Sequence, residues 1–499
     1  MTAVTLCLAS LLAGGAPPET PKPVDYEKEL NDKLSKGITS ENNSNALLWK
    51  VFGPKPEGGN MPPEFFKRLG IDEPPEQGDY FIGLHKFMKD HLQLDQEEFD
   101  GVYKQQGWAS SRPWAAKDYP FIAAWLKQNE KPLNLVHEAV KREHYYNPLV
   151  SRKTETDPGS LIAVLLPSVQ KCRELASALT ARAMLRLQEG KPDDAWADLQ
   201  ACHRLSRHLS HGGTLIEMLV AIAIEAIVSN SELAYLENAN LTSKQMLEKL
   251  KDLQSLPPRS SVARKIDVGE RHMYLDSLKL LRRGGVGMLD GLPGGDSGLK
   301  LTPEEEKALR DFDWTPAEEN GNKWYDRMVA ALKKPNRAER NRELDAIEAD
   351  LKKLKEASTA EIEGLRKKVN DKDAGKAVVK IISDVLIGLL APAIRKVQEA
   401  GDRADQIQAN LHVAFALAAY HRDNGNYPAK LDDLAPKYLA TVPGDVFSGK
   451  GLIYKPEAKG YLFYSVGANG MDDDGRWYDD EPRGDDPRVR MPLPPLKKE

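Results

Sequence analysis

Residues 160–209 read SLIAVLLPSVQKCRELASALTARAMLRLQEGKPDDAWADLQACHRLSRHL, with apolar side chains at three-and-four spacing on both sides of EGKPDD. That period places one apolar stripe on each of two helices. Leu175, Leu179, Ala183 and Leu187 form the inner stripe of the first helix, and Ala195, Leu199, Cys202 and Leu205 that of the second. Gly190 suits the left-handed position just past a helix end, and Asp193 or Asp194 suits the positive end of the next helix dipole. The spacing therefore predicts a helical hairpin of the tetratricopeptide type. One copy is visible where a solenoid needs three or more, so local packing is the simpler expectation than a peptide groove.

Directly downstream, SHGGTLIEMLVAIAIEAIVSN at 210–230 is similar to the prepilin cleavage signature, with Gly212 before the cut and Glu217 at the fifth mature position. A prepilin leader is short and N-terminal, whereas this segment lies deep inside the chain. Its apolar part, 214–228, contains Glu217 and Glu225 and is shorter than the ~20 residues a membrane span requires. A buried helix packed on the hairpin is expected instead.

The whole chain has 499 residues, long enough for two to four domains by length. Apolar residues make up 41% and charged residues 29%, and the net charge is −5. No field strong enough to draw nucleic acid or an anionic membrane follows from that balance. Three cysteines are too few for a disulfide scaffold. Within the predicted hairpin Cys172 and Cys202 are offset by about 10 Å along the axis, so both are expected as free, buried thiols.

Residues 1–16 combine an apolar run with small residues and resemble a secretory signal peptide, although no Lys or Arg precedes the run. The expected location is periplasmic, in the cell envelope or extracellular. Residues 17–60 are rich in Pro, Asn and Gly and read as a linker with one short helix near Tyr26 to Leu34. Residues 61–150 read as a small helical region anchored by Trp108, Trp114, Phe121 and Trp125, and 151–335 as the helical domain that holds the hairpin. The glycine-rich stretch at 283–298 has neither GxGxxG nor GK[ST], so it is no phosphate cradle. Residues 336–376 carry Leu344, Ile347, Leu351 and Leu354 on one seam, resumed by Ile362, Leu365 and Val369, which fits a spacer helix or an intramolecular coiled coil.

From 377 to 475 a long alanine-rich helix closes at Asn424-Gly425, a short helix follows, and two β-rich runs, LIYKP and GYLFYSVG, come after a loop. Tyr427-Pro428, Leu431, Leu434, Pro436, Leu439, Val442-Pro443, Asp445, Phe447, Gly449, Tyr454 and Tyr464-Ser465-Val466-Gly467 carry a resemblance to the major pseudopilin of type II secretion. It covers about 100 of the 499 residues. The rest of the chain resembles uncharacterised secreted proteins of planctomycete-type bacteria, which implies no function. Unlike a pseudopilin, this chain interrupts the helix with Lys380 and Asp384 and places it in mid-chain. The resemblance thus implies a pilin-like head without a fibre-forming membrane helix. The expected fold is mainly α, a multi-helix body plus a small C-terminal α+β domain, with 476–499 as a disordered acidic and Pro-rich tail.

That resemblance also implies a calcium site in the loop after Tyr464-Ser465-Val466-Gly467, with Asn469, Asp472, Asp473, Asp474 and Asp479 as ligands. Hard cations want several carboxylate and carbonyl oxygens on a flexible loop. An EF-hand register fails, because Gly470 would stand at the first ligand position. The alternative is a solvated acidic turn.

Catalytic patterns do not assemble. HEAVKREH at 137–144 has Lys141 where HExxH requires histidine, and no CxxC or GxSxG occurs. His203, His208 and His211 are expected on a surface edge. The leading expectation is a non-enzymatic, exported interaction or assembly protein that binds another protein, with no nucleic acid partner and no membrane span in the mature chain. Two alternatives stand beside it. One is an enzyme with a cleft lined by Trp108, Trp114, His144 and Tyr145, and the other is a helical-repeat scaffold that binds peptides.

Overall fold

The computed structural model describes residues 24–57, 59–91, 96–154, 159–164, 166–284, 313–365, 374–390 and 394–496. The expected signal peptide, most of the glycine-rich stretch and Val369 of the charged seam lie outside these residues. The chain enters through α1 (Tyr26–Leu34), α2 (Ser44–Phe52), α3 (Pro63–Leu69), α4 (Leu84–His91), α5 (Gln96–Ser111), α6 (Pro120–Gln128) and α7 (Glu130–Ala139). The hairpin follows as α8 (Pro167–Gln188) and α9 (Pro192–Ser210). Proline opens each helix, where its missing N–H costs nothing, and Gly190 turns the chain with φ +74°. Every residue of the two expected stripes is buried, and Cys172 and Cys202 are free, buried thiols.

The prepilin-like stretch forms α10 (Leu215–Asn238), opened by a capping box in which Thr214 and Glu217 satisfy each other's backbone N–H groups. Among the described residues it is the one helix long and apolar enough to cross a membrane by length and composition. Most of it lies in the protein interior, with Glu217, Glu225 and Glu232 buried along it. Then come α11 (Ser243–Gln254), a turn at Val262–Arg264 that runs through a π-helical segment, Lys265–Glu270, and α12 (Arg271–Gly284). They are followed by α13 (Thr315–Leu332), α14 (Arg337–Leu365), α15 (Ala374–Leu390) and α16 (Ile394–Asn424). Leu344, Ile347 and Leu351 of α14 are buried, and α14 packs against α15, so this first part of the charged seam is used within the molecule, while the side chains of Ile362 and Leu365 lie outside the described residues.

The protein is mainly helical, with one small antiparallel sheet near its C-terminus. Strands β1 (Ile453–Glu457), β2 (Gly460–Tyr464) and β3 (Arg488–Met491) lie in the order β1-β2-β3. Ile453 pairs with Tyr464, and Phe463 pairs with Val489.

Four expectations need correction. Residues 17–60 are not a linker where they are described: Leu48, Trp49 and Val51 of α2 are fully buried. The asparagines that suggested a linker are structural. Asn43 caps α2 and donates from Nδ2 to the Tyr146 carbonyl (3.0 Å), and Asn31 donates to the Leu149 carbonyl (2.8 Å). The tail is not disordered where it is described, because β3 completes the sheet with Val489 and Met491 buried. Of the four aromatic anchors, Trp114 and Trp125 are buried, whereas Phe121 is exposed and Trp108 half-buried. His203 is not on a surface edge but fully buried, and His208 and His211 are partly buried.

One core joins the hairpin to the C-terminal sheet. It runs from Leu48 and Trp125 through Leu179, Leu205 and Tyr235 to Phe415, Phe463 and Val489. A second core gathers Leu30, Tyr146, Tyr274, Tyr325, Leu344 and Ile382.

Candidate metal centre

The acidic loop spans the gap between β2 and β3, and both strands hold its ends. Its root is Asp445, a buried carboxylate. Asp445 Oδ1 accepts from Ser465 Oγ (2.6 Å) and the Phe447 N–H (2.8 Å), and Oδ2 from Ser448 Oγ (2.7 Å) and the Val466 N–H (3.1 Å). Burial works against its charge, but these donors outweigh burial and hold its pKa below the usual carboxylate value. Asp445 and Ser465 thus lock the loop entrance.

Beyond Gly467 the loop folds back on an aspartate pair just ahead of β3. Asp485 Oδ2 accepts from the N–H groups of Ala468 (2.9 Å) and Asn469 (3.1 Å). Asp486 Oδ2 accepts from those of Asp473 (3.0 Å) and Gly475 (2.9 Å). Left-handed backbone at Gly470, Asp474 and Gly475 makes the tight return.

These contacts bring Asp473, Asp485 and Asp486 together, with one carboxylate oxygen of each within 4.8 Å of the other two. Asp486 is fully buried, and its Oδ1, like Oδ1 of Asp485, has no hydrogen-bond partner. Burial first, then the neighbouring charges of Asp473 and Asp472, push the Asp486 carboxyl up to about 6. Converging carboxylates with unpartnered, buried oxygens are a donor set that suits a hard cation such as calcium.

Among the residues expected from sequence, Asp473 belongs to this cluster, and Asn469 touches it through Nδ2 donating to Asp473 Oδ2 (3.0 Å). The other three are engaged elsewhere. Asp472 accepts from the Tyr464 hydroxyl (3.0 Å) and the Asp474 N–H (2.9 Å). Asp474 pairs with Lys455, and Asp479 lies 3.6 Å from Arg488 with its side chain mostly exposed. Sequence reasoning missed Asp485 and Asp486 by assigning them to the tail. The readable signal was RVRM behind the aspartate pair, whose period of two marks a strand with one buried face.

Two of the four residues expected to line a catalytic cleft are buried, while Trp108 and His144 are half-buried. Trp114 and Tyr145 are core residues, with the Trp114 indole N–H donating to the Ala181 carbonyl (3.0 Å). His137 of the zinc-like motif instead lies 2.8 Å from Asp198, which also pairs with Arg182 and Arg186.

Comparison with known proteins returns no matching family model, no matching curated protein and no matching solved structure.

Proposed function

We propose that this is a non-enzymatic, exported interaction or assembly protein with a pseudopilin-like head, and that calcium orders the acidic loop of that head. The observation that carries the reading is the meeting of Asp473, Asp485 and Asp486, two of which present unpartnered buried oxygens. The order of long helix, antiparallel strands and acidic loop supports the resemblance on which export and assembly rest. An ion there is structural: it would tie the 468–475 turn to the residues that lead into β3. The protein partner would be met at the cell envelope, where calcium is available to such a loop.

Thermal melting of the full chain in calcium and in chelator tests this. Binding to the native state alone adds about 2.7 kcal/mol at a hundredfold excess over Kd, so the melting temperature should rise with calcium and fall back with chelator. Asp486→Asn should remove the response while raising the stability of the metal-free protein, since it deletes a buried carboxylate that resists ionisation. The calcium effect should also fade as pH falls through about 6, where Asp486 takes up a proton. A melting temperature indifferent to millimolar calcium and to chelator refutes the site.

A further inference from the structure

A pocket lies where α9, α16 and the 256–263 segment meet, with a volume of about 470 Å³, and Arg207, Arg259, Ser260, Gln398, Asp405 and Gln408 are among its lining residues. Arg207 is 4% exposed, the Arg259 side chain 8% and Ser260 9%. Arg207 is anchored from behind. Its Nη1 faces Glu225 Oε1 at 2.8 Å as an ion pair and its Nη2 donates to Gln408 Oε1 (2.7 Å), while neither Nε nor Nη1 makes a hydrogen bond. Arg259 donates from Nη2 to the Gly401 carbonyl (3.2 Å) and to Asp405, which leaves Nη1 without a partner. The Ser260 hydroxyl also has none.

We propose that this pocket binds a small oxyanion, the phosphate or carboxylate group of a metabolite-sized ligand. Guanidinium groups only donate, so the partner for Arg207 Nε and Arg259 Nη1 must bring acceptor oxygens, and charge-assisted bonds to an oxyanion are the strongest on offer. Glu225 does not compete, since it already pairs with both His203 and Arg207. Asp405 is the internal competitor. Its side chain is 62% exposed, so it can swing into solvent and yield Arg259 to a ligand. The volume falls in the range of small-molecule sites and admits more than a bare ion. A ligand held there bridges α16 to the 256–263 segment, so binding stabilises the fold.

Isothermal titration of the full chain tests this with two probes, inorganic phosphate and citrate. Ionic strength is held constant and chelator is present, so that the acidic loop stays silent. The expected result is saturable binding of at least one probe, and the tighter probe identifies the preferred group. Arg259→Gln should weaken that binding about tenfold, the size of one charge-assisted hydrogen bond. Asp405→Asn should tighten it several-fold by releasing Arg259, a gain that a damaged fold cannot imitate. No saturable binding of either probe below ~10 mM, weaker than any affinity a preformed two-arginine site should give, overturns the proposal. So does an Arg259→Gln variant that binds like the parent, and if that variant does not fold, an unchanged affinity in Asp405→Asn overturns it.

Discussion

His203 lies between two carboxylates in the interior, its Nδ1 2.9 Å from Glu225 and its Nε2 2.8 Å from Glu232. Burial alone would lower its pKa, but the two glutamates outweigh burial and raise it to about 10, so the ring is an imidazolium at neutral pH. Glu225 also pairs with Arg207, and this second cation helps to hold it ionised, down to about 2 against the cost of burial, whereas burial leaves Glu232 raised. His203→Leu leaves two buried glutamates without their shared cation and should cost about 3–5 kcal/mol in urea denaturation at pH 7. The pH dependence has a definite sign. The folded pKa exceeds the unfolded value near 6.5, so the contribution is complete below pH ~6.5 and disappears as pH rises towards about 10. Parent and His203→Leu should therefore converge in stability across that window. A constant gap would show that the ring is neutral when folded. The sequence could not show this arrangement, because Glu225 and Glu232 come from α10, and only the packing of α10 on α9 turns a supposed surface histidine into the centre of an ion cluster.

Elements with a regular apolar period were legible. The hairpin α8–α9, α10, and the pair β1–β2 lie where spacing of three-and-four or of two places them, because an amphipathic face announces its own burial. Elements that composition disguised were not. Helix α2 has asparagines ahead of it and glycine behind, yet its cap and its long-range amide bonds need those residues. Strand β3 has only four residues and lies among prolines, and it gains its meaning from β2, which it joins along one edge. Two of the three clustered carboxylates were lost for the same reason, since Asp485 and Asp486 lead directly into β3. A chain that stops after Asp486 should lose about 3 kcal/mol or more, from the buried Val489 and Met491 and the backbone partners of β2. It should also lose its calcium response. A chain that stops after Leu496 should melt like the full protein, and equal melting of both truncations would show that residues 487–496 are a solvated tail after all.

At the scale of the molecule, the C-terminal segment of α16 and the sheet is not insulated from the rest. Phe415 of α16 packs on Trp196 of α9 at 5.8 Å between ring centroids, and Gln408 receives a hydrogen bond from Arg207. His412 is half-buried near His203 and Arg207, where desolvation first and then those two cations depress its pKa to about 4. Leu411, Phe415 and Leu417 share one core with Leu179, Leu205 and Tyr235. Fully burying one such side chain is worth about 1.5–3 kcal/mol, so a few of them rival the 5–15 kcal/mol that usually separates folded from unfolded chains. Residues 377–499 alone should therefore fail to fold as the head does in the whole chain. The expected signs are a narrow amide proton spectrum, binding of a hydrophobic dye, and no cooperative melt, while the full chain melts with α16 and the hairpin in one transition. A dispersed spectrum from the isolated fragment would mean that its own sheet covers α16 well enough, and that the interface with α9 and α10 joins two independently stable units.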